Sequence, residues 1–155
     1  METGICQNVS GRTTAVIQLS KEVNAEIRQH GIDDFPYECC GVLLGRVQGE
    51  VRSVTRIQRL DNVHEDGHER RFLIAPEQMF QLDKQARTTG DSIIGFYHSH
   101  PNHPARPSEY DREWAWPWYS YIILSVMQGT PAEMNSWVLD EDRTAYTAEE
   151  IAVSE

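Results

Sequence analysis

The run YSYIILSV, residues 119–126, is apolar at almost every position. Such continuity marks a strand buried inside a sheet rather than one with a wet face. Its central part, YIILSV, is far too short to span a bilayer. The chain must therefore cover this strand with other elements, and the remaining sequence supplies them. GVLLGRV (41–47) is a second, mostly apolar strand. Gln48-Gly49 reads as a hairpin turn after it, and EVRSVTRIQRL (50–60) alternates as its partner. TTAVIQL (13–19) reads as a first strand. Ser20 can N-cap a helix through about Gln29, with Val23 and Ile27 four apart and Gly31 just past the end. RRFLI (70–74) reads as a short strand. Pro76 stands at a first helical position, and Met79, Leu82 and Ala86 recur at helical spacing up to Gly90. SIIGFYHSH (92–100) is strand-like, PNHPARP breaks regular structure, and SEYDREWAW (108–116) starts another helix. NSWVLD (135–140) and RTAYTA (143–148) read as a last pair of short strands. The order of elements is that of an α/β chain. Residues 1–12 read as a flexible N-terminal tail, 13–150 as one domain and 151–155 as a C-terminal tail.

A chain of 155 residues, 39% hydrophobic and 25% charged, is long enough to bury one proper core and is globular rather than disordered. Its net charge of −10 repels phosphate backbones and argues against a nucleic-acid partner. The three cysteines, Cys6, Cys39 and Cys40, form no C-x-x-C pair and no even-numbered framework. That pattern suits a reducing compartment. The opening METGICQNVSGRTT carries no apolar segment of signal-peptide type, and the expectation is a cytoplasmic protein without membrane attachment. A homo-oligomer is compatible with the sequence.

Two histidine clusters compete for a metal. HEDGH, residues 64–68, has the His-Glu-x-x-His spelling of zinc helices. That spelling works only on a helix, where i and i+4 share a face. Asp66-Gly67 is a turn dipeptide, and the flanks DNV and ERR show no amphipathic helical period. The segment reads as a solvated loop. The second cluster lies in GFYHSHPNHPARPSEYD, residues 95–111. His98 and His100, two apart at the end of a predicted strand, point to one face and can reach one ion. Asp111 falls in the first turn of the following helix and can project back toward the strand end. Two nitrogens and one oxygen, with a fourth position left for water, is the layout of a catalytic zinc site. Ser108-x-x-Asp111 is also the spelling of a capping box, in which Asp111 would bond the Ser108 amide.

His98-Ser99-His100-Pro101, continued by Ser108-x-x-Asp111, resembles the JAMM signature of the MPN-plus metalloproteases. Pro36-Tyr37-Glu38-Cys39-Cys40-Gly41-Val42-Leu43-Leu44-Gly45 looks like that family's glutamate segment, and residues 119–126 like the strand after its metal helix. The resemblance runs from about residue 14 to 150. It implies a cytidine-deaminase-like α/β fold, a mixed sheet flanked by helices. It implies Zn2+ held by His98, His100 and Asp111, Glu38 as general acid/base, and Ser108 as a donor to the oxyanion. It also implies a partner, a ubiquitin-like β-grasp protein with a Gly-Gly tail, whose peptide or isopeptide bond is hydrolysed. Nothing in the local sequence brings Glu38 to the metal; that link rests on the resemblance. Only a few residues separate Asp111 from the strand at 119, where deubiquitinating members carry a long insertion, so the chain is closer to the compact bacterial and archaeal members. An extended tail is expected to add main-chain hydrogen bonds to a sheet edge. Cys39 and Cys40 read as small packing residues rather than nucleophiles, and the aromatic run Trp114, Trp116, Trp118 and Tyr119 as packing more than as a groove. A non-catalytic zinc-containing MPN-type interaction module is the alternative reading.

Overall fold

The computed structural model describes residues 15–61 and 76–154. The HEDGH segment and the strand expected at 70–74 lie outside the described residues. The elements run β1 Val16–Ser20, α1 Lys21–Asp34, β2 Cys40–Gln48, β3 Val51–Leu60, α2 Pro76–Arg87, β4 Ser92–Pro101, α3 Glu109–Trp114, β5 Ser120–Met127, β6 Thr130–Leu139 and β7 Tyr146–Ser154. The strands are ordered β1-β3-β2-β4-β5-β6-β7 and close into a barrel through a parallel β1–β7 pair. The sheet is mixed: β1–β3 and β4–β5 are also parallel, and the remaining neighbours are antiparallel.

The apolar strands are covered on both faces, as their lack of alternation requires. On the inner face, Ile17, Leu43, Ile94, Tyr97, Ile122, Leu124 and Val126 pack with Val23 and Ile27 of α1. That helix contacts β1, β3, β4, β5, β6 and β7 and so fills the curl of the sheet. On the outer face, Val42, Leu44, Ile93, Phe96 and Tyr121 pack with Ala86, Met79 and Leu82 of α2. A bulge in β4 sets which residues face which side: Leu43 pairs with Gly95 but Leu44 with Ile93, so Ile94 is the extra residue. Beyond it Phe96, His98 and His100 share the outer face, while Tyr97 faces in.

Three expectations need correction. The helix begun by Ser20, whose side chain accepts from the Val23 amide at 3.1 Å, does not stop before Gly31 but runs on to Asp34. Gly31 is there for closeness: a Cβ would lie 2.8 Å from Leu124 Cδ2 and 3.0 Å from Val126 Cγ2. The last two strands are longer than the short pair read from sequence. Finally, residues 151–154 are no tail. Ile151, Ala152, Val153 and Ser154 pair with Ile17, Gln18, Leu19 and Ser20, and so form the closing seam.

Candidate metal centre

His98 and His100 end β4, alternating with Ser99, so both imidazoles leave the outer face together. Their Nε2 atoms lie 3.2 Å apart. The third member comes from α3. Ser108 is the N-cap, and its Oγ accepts from the Asp111 amide at 3.0 Å. The Ser108 amide donates to Asp111 Oδ2 at 2.9 Å, which completes a capping box. The same carboxylate also reaches the histidines: Oδ2 lies 3.2 Å from His100 Nε2 and Oδ1 3.3 Å from His98 Nε2. One side chain thus completes the expected capping box and lies within reach of both histidines. Among the described residues, these three form the group of ligand type whose atoms all lie within 4.8 Å of one another.

The site is buried and polar. Both histidine side chains are 3% exposed and that of Asp111 11%. Burial works to raise the Asp111 carboxyl, but the His98 charge, hydrogen bonds from both histidines and the Ser108 amide together hold it well below the usual carboxylate range. His100 is aimed by its other nitrogen, since Nδ1 lies 2.8 Å from the Pro104 carbonyl. A carbonyl can only accept, so Nδ1 donates to it, and this bond turns Nε2 toward His98 and Asp111. The Pro104 turn is itself pinned. The neighbouring Ala105 carbonyl accepts from Asn135 Nδ2 and Trp137 Nε1, both at 3.1 Å, and the His103 carbonyl accepts from Ser125 Oγ at 2.6 Å. None of these supports was read from the sequence, because they join residues more than twenty apart and carry no local spacing. His103 is exposed and is not part of the three-ligand group.

Glu38 precedes β2 and is buried at 2% exposure. Cys40 pairs with His98, and the ladder continues outward, with the Ser99 amide donating to the Cys39 carbonyl at 3.1 Å. Glu38 lies two residues before the Cys40–His98 pair. Register thus joins two segments about sixty residues apart. Ser99 Oγ accepts from the Cys39 amide at 2.8 Å and holds the start of β2 against β4. The cysteines are inert. Both are buried, and burial pushes the Cys39 thiol up to about 12 and Cys40 higher. Of the aromatic run, Trp116 and Tyr119 pack edge-on around Phe96, and Trp118 carries the Arg52 guanidinium 4.4 Å from its ring centroid. Trp116 and Trp118 remain about half exposed.

Comparison with known proteins agrees with this geometry. Residues 20–140 match the family described as prokaryotic homologs of the JAB domain. The chain is 32% identical over 142 residues to a desampylase of Haloferax volcanii, covering 91% of this chain and 99% of that one. It is 32% identical over 110 residues to a probable TtuB-protein conjugate cleaving protease of Thermus thermophilus, covering 70% of each. A solution structure of a protein from Desulfitobacterium hafniense superposes with a TM-score of 0.77 at 33% identity, over 90% of this chain and 93% of that one. The helix-filled mixed barrel, the paired histidines at the end of β4 and the match over most of the length lead to one conclusion: the chain belongs to the prokaryotic JAB-domain family.

Proposed function

We propose that this protein is a zinc-dependent isopeptidase that cleaves next to the C-terminal Gly-Gly of a ubiquitin-like protein. The observation that carries the reading is the spacing of His98, His100 and Asp111. Four-coordinate zinc with ligands at about 2.0–2.1 Å sets those ligands about 3.3 Å apart. The two Nε2 atoms are 3.2 Å apart, and the Asp111 carboxylate offers Oδ1 at 3.3 Å from His98 and Oδ2 at 3.2 Å from His100, so one atom from each residue can gather on one ion. Two imidazole nitrogens and a carboxylate suit zinc in donor type, so the residues fit the ion. Zinc, when bound, supplies Lewis acidity that activates water and polarises the scissile carbonyl.

The chain's own groups supply the rest. Glu38, buried two residues before the Cys40–His98 pair, acts as general base toward water, then as general acid toward the departing amine. Ser108 Oγ accepts from the Asp111 amide, which leaves the hydroxyl hydrogen free to donate to the developing oxyanion. The desampylase and conjugate-cleaving relatives support a substrate of ubiquitin-like type. Buried, unpaired thiols at Cys39 and Cys40 accord with a reducing cytoplasmic setting. No helix among the described residues is long and apolar enough to cross a membrane. The sheet edge expected to receive the tail stays open to it: the seven described strands close, but β1 pairs with β3 only over Val51–Val54, while β3 runs on to Leu60.

The test combines metal and product analysis. Purified protein should hold about one zinc per chain, as the ligand set of a single site requires. His98→Ala with His100→Ala should lose it, while His64→Ala with His68→Ala should keep it. Glu38→Gln should keep zinc and lose activity by on the order of 100- to 10,000-fold. A carrier protein ending in Gly-Gly-Xaa should be cut after the second glycine in preference to di-ubiquitin, as mass spectrometry of the products would read. Unchanged zinc in the double histidine variant would sink the site. Cleavage of di-ubiquitin alone would overturn the substrate.

A further inference from the structure

Helix α3 has only six residues, Glu109–Trp114, yet it carries one proposed ligand. A helix this short is not stable on its own, and nearly all of its carbonyls are end carbonyls without an intrahelical partner. At its C-terminus no glycine provides a left-handed cap: Ala115 is extended. The missing partners come from the loop between β6 and β7 and from the first residue of β7. Tyr146 OH donates to the Asp111 carbonyl at 3.1 Å. Arg143 Nη2 donates to the Glu113 carbonyl at 2.8 Å and Nη1 to the Ala115 carbonyl. Arg112 Nη1 returns a hydrogen bond to the Arg143 carbonyl at 3.0 Å, so helix and loop hold each other.

The backbone of Arg143 is a second, independent observation. Its φ is +63°, in the left-handed region that glycine or asparagine usually occupies. The turn that imposes this is built from Asp140, whose carbonyl accepts from the Arg143 amide at 3.0 Å and whose Oδ1 accepts from the Thr144 and Ala145 amides at 2.9 and 3.2 Å. An arginine here bears a conformational cost that a glycine would not. What the arginine contributes, and glycine cannot, is the double grip on the end of α3.

We propose that Arg143 and Tyr146 are positioning residues for the metal: by holding the C-terminal carbonyls of α3 they fix the Asp111 carboxylate at the spacing the two histidines require. This rests on the reading of His98, His100 and Asp111 as ligands. It makes the β6–β7 loop, thirty residues away in sequence, a determinant of metal affinity.

Arg143→Gly separates this role from a merely structural one. Glycine suits the left-handed backbone, so the metal-free variant should melt no lower than the wild type. Its zinc affinity, measured by chelator competition, should nevertheless fall about 10- to 100-fold, the usual effect of losing a group that orients a ligand. Arg143→Lys, which keeps a donor, should recover part of the loss. Tyr146→Phe should weaken zinc in the same direction and shift the visible bands of the cobalt-loaded protein, which report ligand geometry. If Arg143→Gly and Tyr146→Phe both bind zinc as tightly as the wild type, with an unchanged cobalt spectrum, the inference is overturned. A wild-type protein with no affinity for zinc would instead remove the proposed site itself.

Discussion

His30 is a buried titratable group away from the metal centre. Its Nδ1 lies 2.8 Å from Tyr97 OH, and its Nε2 3.4 Å from the Asp34 carboxylate. A carboxylate accepts, so Nε2 carries the ring proton and Nδ1 accepts from the phenol. Burial lowers His30 below its usual 6.5, with Asp34 pulling the other way without prevailing. In the folded protein the ring stays neutral at pH values where the unfolded chain binds a proton. The stability His30 contributes is therefore full above about pH 6.5 and is lost as the pH falls through that value toward the lowered one. Melting temperature should drop more steeply between pH 7 and 5 in the wild type than in His30→Gln; parallel curves would refute this. The thiols make a second residue-scale prediction. With Cys39 pushed up to about 12 and Cys40 higher, iodoacetamide at neutral pH should label neither in the native protein, as peptide mass analysis would read. The sequence made these cysteines legible as packing residues, because a carboxylate neighbour is the wrong setting for a nucleophile. It could not show His30 at all, since an imidazole in an amphipathic helix carries no local sign of the tyrosine it meets.

At the scale of elements, β4 and β5 run parallel in contact closer than any side chain permits. A Cβ on Gly95 would lie 2.2 Å from the Ser120 carbonyl oxygen and 3.0 Å from its carbon. Both are backbone atoms and cannot swing aside. Gly95→Ala should destabilise by about 1–3 kcal/mol or more, as overpacking does. It should also weaken zinc binding, since it displaces the strand that carries His98 and His100; chemical denaturation and metal competition on one preparation would check both. The elements most legible in the sequence were those with apolar continuity, β2, β4 and β5, and those with capping chemistry, α1 and α3. β6 was half missed. Its first residues, TPAEM, show no alternation, and the strand is started by the hairpin turn Gln128-Gly129, whose φ values of 54° and 83° are those of a type I′ turn. The three candidate ligands were legible because spacing of two on a strand and three on a helix start are local facts. Glu38 was reachable only through family likeness, because its place depends on a cross-strand register.

At the scale of the whole molecule, the sheet depends on its last strand. β7 pairs with β6 on one side and with β1 on the other. Removing residues 151–155, which read from sequence as a C-terminal tail, should strip the partners of Ile17 through Ser20 and expose Leu19, which is 1% accessible. A large fall in melting temperature is expected, and a truncated protein that melts with the wild type would refute the seam as a stabilising feature. The seam was illegible because IAVSE is short and weakly alternating, and its partner strand lies more than 130 residues away.

That separation also bears on time. The β2–β3 and β5–β6 hairpins join neighbours in sequence and can form quickly and independently. The β1–β7 ladder joins the two ends of the described chain and can close only after the intervening strands have lined up, against the loop entropy of everything between. Closure is therefore the late event in folding. Because the Arg143 and Tyr146 contacts to α3 sit in and beside the strand that closes, His98, His100 and Asp111 reach their final spacing together with that event. Assembly of the triad and completion of the barrel run on the same clock.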